Sequence, residues 1–83
     1  MPEYNSLYVQ RQLIEQLALM LGVEEKEIGP ETLLRELGVD SLMLVELFVY
    51  IEKNFEMDLM RAYITKEDLS TVRNLSKRII AGI

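Results

Sequence analysis

The chain has neither cysteine nor histidine. That excludes disulfides, thiolate zinc sites, an imidazole base and any Ser/His or Cys/His nucleophile pair. It also leaves the redox compartment unread. Long apolar runs are missing too. The longest, residues 17–21 and 47–51, have five residues each. A membrane-spanning helix needs about 18 and a signal-peptide core about 7–15. The expectation is therefore a soluble, cytoplasmic protein with no membrane partner. Positive charge is scarce, with nine Lys and Arg against 14 Asp and Glu and a net charge of −5. Nucleic acid is a poor partner for such a field. Within 83 residues only one core fits, so residues 1–83 are expected to form one domain. A composition 49% hydrophobic and 28% charged is that of a globular chain. The opening Met1-Pro2-Glu3 reads as the start of a complete, stand-alone protein.

What remains is mostly helix. Residues 7–21 place Val9, Leu13, Ile14, Leu17, Met20 and Leu21 within one arc at 100° per residue. Asn5 or Ser6 can cap the start, and Gly22 stands where a positive-φ stop is wanted. Residues 23–40 form a long connection punctuated by Gly29-Pro30, with a short turn expected over 31–36. Ile28, Leu33, Leu34 and Leu37 can pin it to a core, which reads as a packed, functional loop. Its acids Glu24, Glu25, Glu27 and Glu31 read as solvated charge.

A second helix is expected over 41–54, with Leu44, Leu47, Phe48 and Ile51 inward, continued by Phe55. Its other side is not properly polar, because Leu42, Val45 and Val49 share it with Glu46, Glu52 and Lys53. Thr65-Lys66-Glu67-Asp68 has capping-box spacing and suggests a short helix or turn. Ser70 or Thr71 caps a last helix with the stripe Val72, Leu75, Ile79 and Ile80. No strand-period segment competes. The fold class is all-α, an antiparallel bundle of three main helices plus one short helix, with a long loop between helices one and two. Charge is uneven along it. Residues 1–60 carry twelve acids and four bases, and residues 61–83 two acids and five bases. The acidic part could be ordinary solvated helix faces or a surface for basic partners.

The segment Leu37-Gly38-Val39-Asp40-Ser41-Leu42 carries the chemistry. Its plainest meaning is a helix start capped by Asp40. A serine at a helix N-terminus also has free N–H groups and the positive dipole end beside it, which favour an attached phosphate. Asp40 puts a carboxylate next to that hydroxyl, able to orient it or a metal ion.

With these residues in place, the chain resembles the acyl carrier protein family, of the discrete stand-alone type. The likeness runs through Ile28, Pro30 and Leu34, the six-residue motif, Val45-Glu46-Leu47, Phe55 and Ser70-Thr71-Val72. It implies an acyl-carrier-protein-like bundle whose Ser41 receives 4′-phosphopantetheine from coenzyme A, with Asp40 adjacent and orienting. A magnesium-dependent phosphopantetheinyl transferase would make the phosphodiester. The arm's thiol would hold acyl groups as thioesters, which supplies thiol chemistry to a chain without cysteine. The protein would be a carrier and not an enzyme, with no catalytic or metal-binding residue of its own. It would act as a monomer, presenting cargo to acyl-loading, ketosynthase-type and other acyl-processing enzymes. Leu44, Leu47, Phe55, Ile64 and Leu69 could shelter the acyl chain, although each serves first as core.

The likeness is incomplete on the second helix. Met43 and Leu44 stand where fatty-acid carriers usually have acidic or small polar residues, and Glu52-Lys53-Asn54 replaces an acidic run, while Glu46 is retained. This points away from primary fatty acid synthesis and toward polyketide or another specialised acyl product. Gly38-Val39 in place of Gly-Gly disfavours a peptidyl carrier. Leu42, Met43, Val45, Glu46 and Val49 are the expected partner-binding residues. The alternative is an unmodified helical adaptor or structural subunit of the same fold, acting only through protein–protein contacts.

Overall fold

A computed structural model describes residues 5–57 and 64–82. Three α-helices organise them: α1 (Ser6–Leu21), α2 (Ser41–Phe55) and α3 (Val72–Gly82). The described residues contain no strand, only an isolated antiparallel bridge between Leu33 and Thr71. None of their helices is long and apolar enough to cross a membrane.

Each helix begins where its sequence offers an oxygen to the free N–H groups of the first turn. Asn5 Oδ1 accepts from the Tyr8 N–H at 2.8 Å, so α1 starts at Ser6, one residue before its apolar periodicity. Asp40 Oδ1 accepts from the Met43 N–H at 2.9 Å. Thr71 Oγ1 accepts from the Asn74 N–H at 3.1 Å. Such a cap stabilises by about 1 kcal/mol. Burial contributes more, about 1.5–3 kcal/mol for each large apolar side chain. Val9, Leu13 and Leu17 of α1, Leu47 and Ile51 of α2, and Val72, Leu75 and Ile79 of α3 are fully buried. Ala18 and Gln10 join the buried side of α1, whereas Ile14, Met20 and Leu21 only flank it. Gln10 is accommodated because its Nε2 donates to Ser6 Oγ at 2.8 Å.

The stops differ in chemistry. Gly22 ends α1 at φ +70°, a left-handed conformation open to glycine without strain. At the end of α2 the same conformation falls on Glu56, at φ +52°. A side chain there costs about 1–2 kcal/mol. Glu56→Gly is therefore expected to stabilise the domain by about 0.5–1 kcal/mol, after glycine's own entropy cost. Thermal melting checks this, and a lowered or unchanged midpoint would contradict it.

The long connection is packed and not slack. Ile28 and Leu34 are buried. Gly29 to Thr32 close a turn with Pro30 at its second position, the Thr32 N–H donating to the Gly29 carbonyl at 3.2 Å. The short turn expected over 31–36 is divided, with the Gly29–Thr32 turn before Leu33 and a 3₁₀ turn at Leu34–Leu37 after it. The division has a cause: the Leu33 backbone is extended to pair with Thr71. Beside that bridge the Leu34 N–H donates to the Ser70 carbonyl at 2.9 Å, and the Arg73 N–H donates to the Pro30 carbonyl at 2.8 Å. The loop thus satisfies the Arg73 N–H donor in the first turn of α3, donates in turn to the Ser70 carbonyl before it, and is held by both bonds.

The capping box expected at residues 65–68 is present. Thr65 N–H donates to Asp68 Oδ2 at 3.0 Å, and Asp68 N–H to Thr65 Oγ1 at 3.1 Å. It opens a run of turns through residue 70 and no α-helix, so the short helix expected in the bundle is not found among the described residues, where the capped segment closes as turns.

Candidate functional site

The 3₁₀ turn Leu34–Leu37 ends at Gly38, whose φ of +89° again suits a residue without Cβ. The Gly38 N–H returns to the Arg35 carbonyl at 3.2 Å, and the Val39 N–H to the Leu34 carbonyl at 3.2 Å. Val39 is half-buried against the core. The chain then turns outward, so that Asp40, Ser41 and Leu42 are all exposed.

Asp40 is the N-cap of α2, with extended backbone at φ −101° and ψ −176°. Its Oδ1 accepts the Met43 N–H, and its carbonyl accepts the Leu44 N–H at 3.0 Å. The carboxylate therefore fixes the direction in which α2 leaves the loop and places the neighbouring Ser41 on the first helical residue. The first N–H groups of a helix have no partner one turn back. Asp40 takes that of Met43, which leaves those of Ser41 and Leu42 open among the described residues. Ser41 Oγ likewise has no hydrogen-bond partner among them. The other three serines are engaged. Ser6 Oγ accepts from Gln10, Ser70 Oγ donates to the Glu67 carbonyl at 2.6 Å, and the buried Ser76 Oγ donates to the Arg73 carbonyl at 2.8 Å. A phosphate ester on Ser41 Oγ would thus emerge into solvent, at the positive end of α2, beside two unclaimed donors. The residues fit such a group. Among the described residues no three carboxylates gather to hold a metal ion.

The outward side of α2 continues from this point. Leu42, Val45 and Val49 are 67%, 56% and 45% exposed and lie on one stripe, three and four residues apart. Glu46 is exposed beside them and Met43 is half-buried at the flank. The inward side carries Leu47, Ile51 and Phe55 in the core, with Phe48 partly covered. Leu44, expected inward, is only half-buried. Tyr50 lies at the edge, its hydroxyl reaching the Gln12 carbonyl at 3.3 Å. Burial, helped by the Glu15 carboxylate and Tyr8, pushes its phenol above the ordinary value.

Of the residues considered for sheltering cargo, Leu47 and Phe55 are core, and Ile64 and Leu69 pack at its margin. Leu69 also lines a cavity of about 350 Å³ together with Leu33, Arg35, Lys66 and Ser70. Sequence reasoning did not single out Arg35 or Lys66. They stand 31 positions apart, and only the loop's attachment to α3 brings them to one cavity. The acids of the connection are solvated as expected. Glu24 pairs with Lys26 at 3.1 Å, Glu27 Oε2 accepts the Glu24 N–H at 2.8 Å, and Glu31 meets Arg73 at 3.0 Å.

Comparison with known proteins gives the chain a family. Residues 11–79 match the family described as "Phosphopantetheine attachment site". The non-reducing polyketide synthase mapC' of Penicillium brevicompactum is 35% identical over 68 residues, which is 82% of this chain and 3% of that protein. The non-reducing polyketide synthase pigA of Monascus ruber is 45% identical over 53 residues, 64% of this chain and 2% of the relative. The chain thus spans only a few hundredths of the length of the curated relatives it matches.

Proposed function

Because the chain belongs to the phosphopantetheine attachment-site family, whose domains hold 4′-phosphopantetheine covalently, we propose that Ser41 is the residue that carries it here. The observation that carries this reading is the state of the hydroxyl. Ser41 is the one serine of four that is exposed on a helix start with no hydrogen bond to its Oγ among the described residues. In the transfer, Ser41 Oγ attacks the phosphorus of coenzyme A bearing the pantetheine. The new P–O bond replaces the pyrophosphate link, adenosine 3′,5′-bisphosphate leaves, and the serine proton passes to a base on the phosphopantetheinyl transferase. The arm then supplies a thiol on which an acyl group is held as a thioester.

The domain's own residues do the rest. The Asp40 cap fixes the direction of α2 and so the point from which the arm departs. The stripe of Leu42, Val45 and Val49, with Glu46, offers acyl-loading, ketosynthase-type and other processing enzymes an apolar contact beside the arm. Scattered surface apolar residues are common, but a stripe adjoining a modification site is better accounted for by docking. The partner's matching face would be apolar with a basic rim. Charge would speed encounter, and apolar burial would slow dissociation. The pathway we propose is polyketide assembly, supported by the names of the relatives and by Met43 and Leu44 on α2.

Incubation with coenzyme A and a phosphopantetheinyl transferase, followed by intact mass measurement, tests the reading. One phosphopantetheine increment per chain is expected. No increment with several transferases of demonstrated activity would sink it and leave the unmodified adaptor.

A further inference from the structure

Acids outnumber bases 14 to nine in this chain, yet the cavity at the junction of the loop and the 66–70 turns is lined by two bases and no acid. Arg35 comes from the 3₁₀ turn and Lys66 from the turns that precede α3. Leu33 and Leu69 supply apolar wall, and Ser70 completes it. Three other cations are matched: Lys26 has Glu24, Arg73 has Glu31 and Arg78 has Asp68, whereas Arg11, Lys53 and Lys77 stand without an ion pair among the described residues and line no cavity with a second base. Among the described residues no carboxylate lies within ion-pair distance of Arg35 or Lys66. The walls are also fixed relative to each other by the Leu34 N–H bond to the Ser70 carbonyl and the Leu33–Thr71 bridge. Two unpaired cations over an apolar wall, preorganised by backbone bonds, suit an anion carried on an apolar stem. At about 350 Å³ the cavity is within the size range of small-ligand sites.

The position of Ser41 says which anion can reach it. The bond from the Val39 N–H to the Leu34 carbonyl folds residue 39 back to the backbone between Leu33 and Arg35, two residues of the cavity lining. From the bond lengths involved, the Cα atoms of Leu34 and Val39 are at most about 7 Å apart, and Ser41 adds at most about 7 Å. A phosphopantetheine arm has roughly thirteen bonds from phosphorus to sulfur, an extended reach of about 15 Å. The acyl end of an arm on Ser41 can therefore fold back into the cavity.

We propose that Arg35 and Lys66 form a resting site for an acyl group ending in a carboxylate, held on the arm of Ser41. The inference rests on the carrier reading and adds to it a selectivity for charged over neutral cargo. Both cations are exposed, so replacing them leaves the fold intact.

The test compares amide chemical shifts of the holo, acetyl-loaded and malonyl-loaded protein, with intact mass verifying each load. Malonyl loading is expected to move the amides of Arg35, Lys66, Leu69 and Ser70, whereas acetyl loading leaves them in place. The malonyl-specific shifts should be lost in Arg35→Gln/Lys66→Gln, whose melting midpoint is unchanged. Equal shifts for acetyl and malonyl would mean that the cavity takes the neutral stem, and would overturn the proposal. Shifts complete already in the holo protein would assign the cations to the arm's phosphate, and would overturn it as well. A correctly loaded protein with no shift at these residues defeats this proposal alone. A wild-type chain that takes up no arm defeats the carrier reading, and this proposal with it.

Discussion

Ser41→Ala is expected to yield a folded protein that accepts no arm at all. The loss of modification should be complete, because each remaining serine hydroxyl is held by a neighbour and Ser76 is fully buried. The fold should barely notice. Asp40, not Ser41, caps α2, and Ser41 Oγ makes no hydrogen bond among the described residues. Alanine is the better helix former, so stability should change by no more than about 0.5 kcal/mol. Intact mass after treatment with coenzyme A and an active transferase reads the first effect, and thermal melting the second. A variant that still gains one increment would move the site elsewhere. A variant that melts far below the parent would give Ser41 a structural role that its exposure denies.

Leu47→Asp and Val45→Asp should part company by several kcal/mol although the residues are only two apart. Leu47 is fully buried at the centre of α2's inward face. A carboxylate there has no partner, and the cost of desolvating it, added to the lost apolar burial, exceeds about 4 kcal/mol. A domain of this size has little more stability than that to lose. Val45 and Val49 keep roughly half their surface in water. Aspartate at either position should cost about 1 kcal/mol or less. Their effect belongs to docking: acyl transfer by a partner enzyme should slow while the melting midpoint stays near the parent's. Transfer by the parent should also outlast moderate salt, since apolar contacts are not screened as exposed ion pairs are, over about 8–10 Å. Melting all three variants beside a transfer assay decides the matter. Were Val45→Asp and Val49→Asp to melt as low as Leu47→Asp, the outer stripe of α2 would be core and no docking face would exist there.

What could be read from the sequence was what short-range chemistry decides. Asn5, Asp40 and Thr71 each start a helix because the oxygen they offer lies three residues from the N–H it accepts, and such spacing is visible in a string of letters. The apolar period found Leu13, Leu17, Leu47 and Ile79 for the same reason. Errors arose where a distant residue decides. The turn expected over 31–36 is interrupted because Thr71, nearly forty positions on, claims Leu33. Glu56 gives no warning of its positive φ, since nothing in the letter distinguishes a strained stop from a relaxed one. Around the start of α2, the Asp40 cap and the outward placement of Leu42, Val45 and Val49 were legible from the motif and the helical period. The cavity around Arg35 and Lys66 was not, because its two halves meet only through the folded loop.

The backbone bonds from Pro30 and Leu34 to the start of α3 also bear on how this domain can change in length. Before Ile28 the connection is held mainly by the 3₁₀ turn Glu25–Glu27, so residues inserted ahead of that turn would loop out at small entropic cost. From Pro30 to Ser41 the chain is tied at one end to Arg73 and at the other to the cap of α2. An added residue there would have to break one tie or turn the serine to another side of the helix. That stretch behaves as a ruler between two helices, and lineages of such domains should gain and lose residues before it rather than within it.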